Sequence, residues 1–588
     1  MKRTLLVTVL SRLVVGLVVI APALVAQEAG QSAKRGQSSE GTPDSSITTR
    51  VDKIFEKWDK PDSPGCAVGV IREGHIVYKR GYGMANLEHR IPITPSTVFN
   101  LASVSKQFTA AAVVLLAQQN KLSLDDNVRK YVPELPDLGA PITLRHLIHH
   151  TSGLREFWPG GAVLRDDVLD MAARLKKLNF PPGEKYLYCN VGYSLLAVVV
   201  ERVSGQSLRE FARTEIFEPL GMKNTFFLDN LNEIVENVAH SYEPRPGSGF
   251  QRLFSAPALP GASIVPGAGG LYSTVEDLAR WDRNFYKDRV GRPGLVDQLQ
   301  ERGRLNNGEQ LNYAFGLWVD EYRGLRVVEH GGEGDGYRTH FIRFPEQRFS
   351  VVLLCNAGDA VGFPTGERIA EIYLENEFRE PPPPASVEQV VQLSREHLEN
   401  KVGLFWNPER LRRYRIFLKD GKLFLVRPDD MPPGPYELEA VSENRFRAAL
   451  VPSLELRFEL TKTGAPARLI TQIRPGPNWF WEPIEELAPT RDELAEYVGA
   501  YLGDEIDLLF RVRAEGDKLV LSRLGSGRVM LEPVFRDTFK APYWYLDGNW
   551  YLQFRRDSTG RVTGVVFSTN RNRDFHFGKS STQAKEED

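Results

Sequence analysis

Ser103-Val104-Ser105-Lys106 runs directly into Gln107-Phe108-Thr109-Ala110-Ala111-Ala112-Val113-Val114-Leu115-Leu116. An unactivated serine hydroxyl is a poor nucleophile at neutral pH and needs a base within hydrogen-bond reach. Residues three apart on a helix share a face, so Ser103 and Lys106 point into one space. The run that follows is helix-favouring and apolar, as a helix buried at the centre of a domain would be. Taken alone, the tetrapeptide also fits an ordinary helix start, with Ser103 as its cap and Lys106 in solvent.

Two further motifs weigh against the ordinary reading. Tyr188-Cys189-Asn190 follows a Pro-Pro-Gly turn (Pro181 to Gly183) and precedes a helical run from Gly192 to Val203. A phenol beside a lysine ammonium has a reason to ionise, and an asparagine amide offers a donor and an acceptor to a substrate amide. Val327-Val328-Glu329-His330-Gly331-Gly332 reads as a strand end running into glycines, where a backbone approaches a ligand closely. Each motif alone also fits a core tyrosine or a glycine turn beside an unremarkable histidine.

With the three elements in this order, the chain resembles the penicillin-recognising serine hydrolases. These include class C β-lactamases, D,D-carboxypeptidases, family VIII-type esterases and D-stereospecific aminopeptidases. Ser103 matches the family nucleophile, Lys106 the lysine of Ser-x-x-Lys, Tyr188 and Asn190 the Tyr-x-Asn element, and His330 with Gly332 the third motif. Gly81 to Asn86, Leu122 to Asp126, His150-Thr151-Ser152-Gly153-Leu154 and Gly269 to Thr274 agree as well. The resemblance implies an α/β (α+β) β-lactamase/transpeptidase-like domain: an antiparallel sheet and a helical lobe with the active site between them. It implies two-step acyl transfer from Ser103, with Lys106 and Tyr188 sharing the proton; which of the two is the base stays open. It places the oxyanion hole at the backbone N–H groups of Ser103 and Glu333. Asn190 would orient the substrate amide. His330 would fix Tyr188 or a leaving group, or serve a structural role. No metal or cofactor is implied. Where β-lactamases usually carry Lys-Thr-Gly, this chain has His330-Gly331-Gly332, the form familiar from the D-aminopeptidase and esterase branches.

Strand-like runs at both ends of this region support the same architecture. Cys66 to Ile71 and His75 to Lys79 form a hairpin across Arg72-Glu73-Gly74, and Arg338 to Phe344 with Phe349 to Leu354 form another. Between them lies a mostly helical middle, so the sheet is assembled from the two ends of the domain.

A literal Lys462-Thr463-Gly464 occurs later, between two alternating stretches, and reads as a hairpin turn. It has a counterpart in Ser558-Thr559-Gly560. Val402-Gly403-Leu404-Phe405 pairs in the same way with Val498-Gly499-Ala500-Tyr501, and Asp420 to Leu425 with Gly516 to Leu521. From Gly403 to Gly499, Lys422 to Lys518 and Gly464 to Gly560 the offset is 96 residues each time. A repeat this long is a whole domain, because solenoid units span only about 20 to 50 residues. Many short alternating strands indicate two small antiparallel β-barrels. Lipocalin-like barrels behind a hydrolase domain resemble the D-aminopeptidase architecture.

The expected organisation is a signal peptide at 1–26, a disordered linker at 27–46 and the hydrolase domain at 47–376. A Pro-rich linker at 377–390, marked by Pro381 to Pro384, leads to barrels at 391–487 and 488–579 and a tail at 580–588. Lys2, Arg3 and Arg12 precede the apolar run Leu13 to Val25, which is too short for a membrane span of about 20 residues. Cleavage is expected near Ala26, with Ala23 and a retained anchor as the other readings, and the protein is expected to be secreted or periplasmic. The net charge of −2 carries no basic excess, so nucleic acid is not an expected partner. Three cysteines, Cys66, Cys189 and Cys355, write no disulfide framework; Cys66 and Cys355 read as buried thiols in apolar strands. No histidine spacing suggests a metal. Three readings of function stay open. One is a peptidase or amidase acting on D-amino-acid peptides, wall-derived ones among them. The second is a promiscuous esterase or weak β-lactamase. The third is a peptide- or peptidoglycan-binding protein without turnover. A homodimer is compatible with each.

Overall fold

A computed structural model describes residues 45–156, 165–230, 232–245, 249–253, 266–360, 362–379, 390–426, 435–449, 451–473, 478–503, 508–523, 528–545, 548–569 and 572–580. The expected signal peptide, the Pro381 to Pro384 run and most of the expected tail lie outside these residues. Ser45 and Ser46, the end of the expected linker, open a helix, where Thr48 and Thr49 donate their hydroxyls to the Ser45 carbonyl.

The hydrolase domain is built on six antiparallel strands: β1 (Cys66–Arg72), β2 (His75–Tyr82), β3 (Trp318–Tyr322), β4 (Leu325–Gly334), β5 (Tyr337–Phe344) and β6 (Phe349–Cys355). Their order is β3-β4-β5-β6-β1-β2, so the two ends of the domain meet where β1 pairs with β6. Five helices position the site: α1 (Ser45–Phe55), α2 (Lys106–Gln118), α3 (Asn190–Ser204), α4 (Val275–Lys287) and α5 (Gly362–Tyr373). β6 is buried at every residue, because both faces of the sheet are covered. Val51, Phe55 and Ile369 of α1 and α5 pack on the face that carries Val68 and Val70. Ala67, Ile71 and Val352 face the helical side, in one core with α2, α3 and α4. All residues of α2 from Lys106 to Leu116 are buried, the central helix that the apolar run predicts.

One polar device pins α4 to the sheet. Arg343 of β5 and Asp282 of α4, each 1% exposed, pair at 3.2 Å, and Ser350 donates to the same carboxylate at 2.7 Å. Gln107, the neighbour of Lys106, accepts there from Arg343 at 3.2 Å and from Trp281 at 2.7 Å. The carboxylate is therefore compensated, and its hydrogen bonds reach the nucleophile helix.

The cysteine expectation is corrected. Cys66 and Cys355 are directly opposite in the β1–β6 ladder and form a disulfide. An odd count does not prevent two of three cysteines from pairing when the sheet register makes them neighbours. Cys189 is buried and lies outside this bond.

Two closed eight-stranded antiparallel barrels follow, as the repeat indicates. Barrel 1 runs from the strand Gly403–Asn407 to Asn478–Ile484, and barrel 2 from Gly499–Gly503 to Phe575–Lys579. Large side chains fill both interiors. Tyr414 stacks on Trp481 at 3.7 Å in barrel 1, and Phe510, Phe554, Phe567 and Phe577 share the core of barrel 2. The barrels dock through Trp406 of barrel 1, which packs against Val534 and Tyr551 of barrel 2. Lys462-Thr463-Gly464 sits in the barrel 1 turn between Val451–Leu460 and Pro466–Ile473, with Gly464 at φ +85°.

Candidate active site

The nucleophile candidate stands on a tight turn. Ala102–Ser105 form a 3-10 turn, and the α-helix proper begins at Lys106. Ala102 has φ +47°, a conformation that costs a non-glycine residue about 1–3 kcal/mol. Four hydrogen bonds hold the turn. Ala102 N donates to Asn100 Oδ1 at 2.8 Å and Ser105 Oγ to the Ala102 carbonyl at 2.6 Å. Leu271 N donates to Ser105 Oγ at 3.1 Å, and Thr339 Oγ1 to the Leu101 carbonyl at 2.9 Å. The ordinary reading of the tetrapeptide fails on two counts. Neither the turn nor α2 has a side-chain cap, and Lys106 is fully buried rather than solvated.

Lys106 Nζ lies 3.1 Å from Ser103 Oγ, 2.8 Å from Asn190 Oδ1 and 2.6 Å from the Ala268 carbonyl. A neutral amine has two N–H bonds for the last two acceptors and a lone pair for the Ser103 proton; a charged one gives its third N–H to Ser103. The same ammonium position is 4.8 Å from the centre of the Tyr188 ring. Ser103, Lys106, Tyr188 and Asn190, separated by up to 87 positions in the chain (103 to 190), thus share one small space.

The third motif approaches from β4. Gly332 is obligatory by geometry: a Cβ there would lie 2.2 Å from the Leu101 carbonyl oxygen and 2.3 Å from Thr339 Oγ1. The strand therefore runs hard against the Ser103 turn, and Glu333 is the next residue along it. The Glu333 side chain, 74% exposed, pairs with Arg338 across the ladder at 3.2 Å. β3 pairs with β4 only as far as Glu329.

His330 is buried, and its partner is Tyr313 rather than Tyr188. Nδ1 lies 2.6 Å from the Gly331 carbonyl and must donate, so Nε2 accepts from the Tyr313 hydroxyl at 3.0 Å. Burial, reinforced by the nearby Lys106, pushes its pKa down to about 3, so the ring is neutral at pH 7.

Two contributors, Glu156 and Tyr313, escape the sequence reading, and a third, His150, enters it only within a family flank. His150, at φ +57°, accepts from Cys189 N at 3.1 Å on Nδ1, and its ring centre lies 4.1 Å from that of Tyr188 with the two planes tilted. Glu156, 1% exposed, accepts from Asn190 N. Tyr313 joins Tyr186, Tyr188 and Trp318 in an aromatic wall around His330. The His150 to Leu154 stretch was visible as a family flank, but Glu156 and Tyr313 have no local signature.

The sequence profile described as "Beta-lactamase" matches residues 51–374, more than half of the chain. The chain belongs to the β-lactamase family. It is a serine hydrolase of that family. A D-aminopeptidase of Gluconobacter oxydans (strain 621H) is 29% identical over 522 residues, covering 85% of this β-lactamase-family chain and 93% of the relative. That match is too long to stop at the hydrolase domain, so it includes barrel sequence. Penicillin-binding protein 4* of Bacillus subtilis (strain 168) is 32% identical over 300 residues, 48% of this chain and 66% of that protein. Among solved structures, the octameric penicillin-binding protein homologue from Pyrococcus abyssi shares the fold, with a TM-score of 0.51 and 22% identity over 74% of this chain and 99% of that one.

Proposed function

We propose that this serine hydrolase is an exported peptidase or amidase for small substrates carrying a D-amino acid at the scissile carbonyl. The observation that carries the reading is the uncharged His330 in the third motif. In Lys-Thr-Gly enzymes a lysine and a hydroxyl meet the carboxylate of the drug. Here burial and Lys106 keep the corresponding imidazole neutral, and the middle residue, Gly331, has no hydroxyl. A substrate bearing a carboxylate at that place loses its counter-charge, whereas a neutral amide or ester does not. The D-aminopeptidase relatives, matched through the barrels, support the same substrate class. Export is supported by the basic-then-apolar amino terminus and by the Cys66–Cys355 disulfide, a bond favoured in oxidising compartments.

In the proposed mechanism Ser103 Oγ attacks the carbonyl carbon and its proton passes to Lys106, whose other contacts, to Asn190 and Ala268, aim the nitrogen at Ser103. The oxyanion is received by the N–H groups of Ser103 and Glu333, a role supported by the close approach of Gly332 to the Leu101 carbonyl, two residues before Ser103. Tyr188 passes a proton to the leaving amine and is reprotonated by the proton that Lys106 took from Ser103, while Asn190 Nδ2 holds the substrate amide and Oδ1 stays on Lys106. Water then attacks the acyl-enzyme carbonyl, gives its proton to Lys106, and that proton returns to Ser103 Oγ as the acid leaves. Wall-derived peptides are natural candidates for the substrate.

The test is a panel of D- and L-amino-acid amides, short acyl esters and a chromogenic cephalosporin, run beside fluorophosphonate labelling and peptide mapping. The adduct should map to Ser103, and D-amides should exceed both L-amides and the cephalosporin in kcat/KM. A cephalosporin ranked first would overturn the reading of His330.

A further inference from the structure

The segment that carries Tyr188 and Asn190 does not stand by itself. It hangs on His150–Glu156. The His150 carbonyl accepts from Leu187 N at 2.9 Å, the Thr151 carbonyl from Gly183 N at 2.8 Å, and Glu156 takes Asn190 N. His150–Glu156 is in turn clamped by Asn179, whose N–H donates to the Gly153 carbonyl at 2.7 Å and whose Nδ2 donates to the Leu154 carbonyl at 3.2 Å. Gly153 makes this turn possible: it has φ +70°, and a Cβ there would lie 2.0 Å from the Phe180 carbonyl oxygen.

Both Asn179 and the segment it clamps are gripped by the second barrel. Arg573 N donates to Asn179 Oδ1 at 3.0 Å. The guanidinium of Arg155, 1% exposed, lies 4.8 Å from the centre of the Phe575 ring, which is 5% exposed. The Arg573 side chain continues to the Glu409 carbonyl of barrel 1, so a single barrel 2 residue bonds to both other domains. A buried arginine over a buried ring is a desolvated contact, which is stronger than the same pair in water.

We propose that barrel 2 completes the active site from behind: Arg573 and Phe575 are positioning residues that fix His150–Glu156 and, through it, the Tyr188–Asn190 turn against Lys106. In this role Arg573 and Phe575 act through His150–Glu156 and donate no reacting group. They set the distance at which Asn190 Oδ1 meets Lys106 Nζ, and displacements of about 1 Å at such a place cost up to about a hundredfold in rate. The inference rests on the active-site reading above.

The full-length enzyme, Asn179→Ala, Phe575→Leu and Phe575→Tyr are compared for kcat, KM and the rate of fluorophosphonate labelling at Ser103. Near-ultraviolet circular dichroism reports whether the barrels stay folded. Asn179→Ala and Phe575→Leu should lower kcat and the labelling rate together by about ten- to a hundredfold, with KM little changed. Phe575→Tyr keeps the ring face and should restore both. Folded variants that label and turn over at the parent rate overturn the inference, as does a change confined to KM. If Phe575→Leu fails to fold, Asn179→Ala decides by the same criterion, since it removes a tether and no core. Parent enzyme that takes no label at Ser103 refutes the active-site reading instead.

Discussion

Barrel 1 and barrel 2 are two copies of one design, with the same strand order, the same 96-residue spacing of their turns and interiors filled by aromatic side chains. Their outer surfaces meet different neighbours. Barrel 2 reaches the hydrolase domain through Arg573 and Phe575, whereas barrel 1 packs its Trp406 on barrel 2. Barrel 1 even carries a Lys-Thr-Gly, in a solvent-side hairpin where it serves as a turn. The lesson is that neither a fold nor a tripeptide assigns a role; the neighbours of the side chains do.

The largest effect should come from setting the two lysines against each other. Lys106→Met removes the buried amine 3.1 Å from Ser103 Oγ and should lower kcat about a hundred- to ten-thousandfold. Lys462→Met, at the hairpin, should leave kcat and Tm where they are. Steady-state kinetics on both variants checks this, and a comparable loss in Lys462→Met would break the division between barrel 1 and the site.

Next comes the joint between the barrels. Trp406 is 6% exposed and sits 4.9 Å from Tyr551, so Trp406→Ala should cost about 3–5 kcal/mol in the barrel transition seen by calorimetry. The folded variant should keep its kcat, since Trp406 has no part in the chain of contacts from Phe575 to Asn190. A fall in kcat would mean that barrel 1 also steers the active site.

The smallest effect is a pH dependence that separates the hydrolase domain from the barrels. His149 and His330 are both pushed from 6.5 down to about 3, chiefly by burial. A depressed histidine is neutral in the fold and binds its proton more readily when unfolded. The stability it contributes is present above about pH 6.5 and is lost as pH falls toward about 3. The hydrolase transition should therefore drop between about pH 7.5 and pH 5, and His149→Phe, which keeps the edge contact with Phe315, should flatten that drop. A transition that stays fixed over this range would contradict the buried neutral state.

Much of the architecture is legible in the chain because it is written in short-range pattern. The apolar run after Ser103 becomes a helix buried along its length, and β6 reads as a continuous apolar strand. Alternation with Thr-Gly turns announces the barrels. The candidate site is legible only as far as its motifs are local. Glu156 and Tyr313 carry no pattern, because their importance lies in which backbone N–H or imidazole nitrogen they reach across the fold. The cysteines mislead for the same reason: pairing is a matter of register between β1 and β6, strands 289 residues apart at the bridge.

By itself the sequence determined the order of the domains, the twin barrels, and the three motifs that bring a serine, a lysine, a tyrosine and a histidine into one family. Periodicity and motif spacing act over a few residues, so they survive without a fold. Only the tertiary structure decided that Lys106 is buried, that His330 is neutral and held by Tyr313, and that barrel 2 meets the hydrolase domain at Asn179 and Arg155. Burial and hydrogen-bond partnership are properties of neighbours in space, and those neighbours come from as far apart as Asn179 and Arg573.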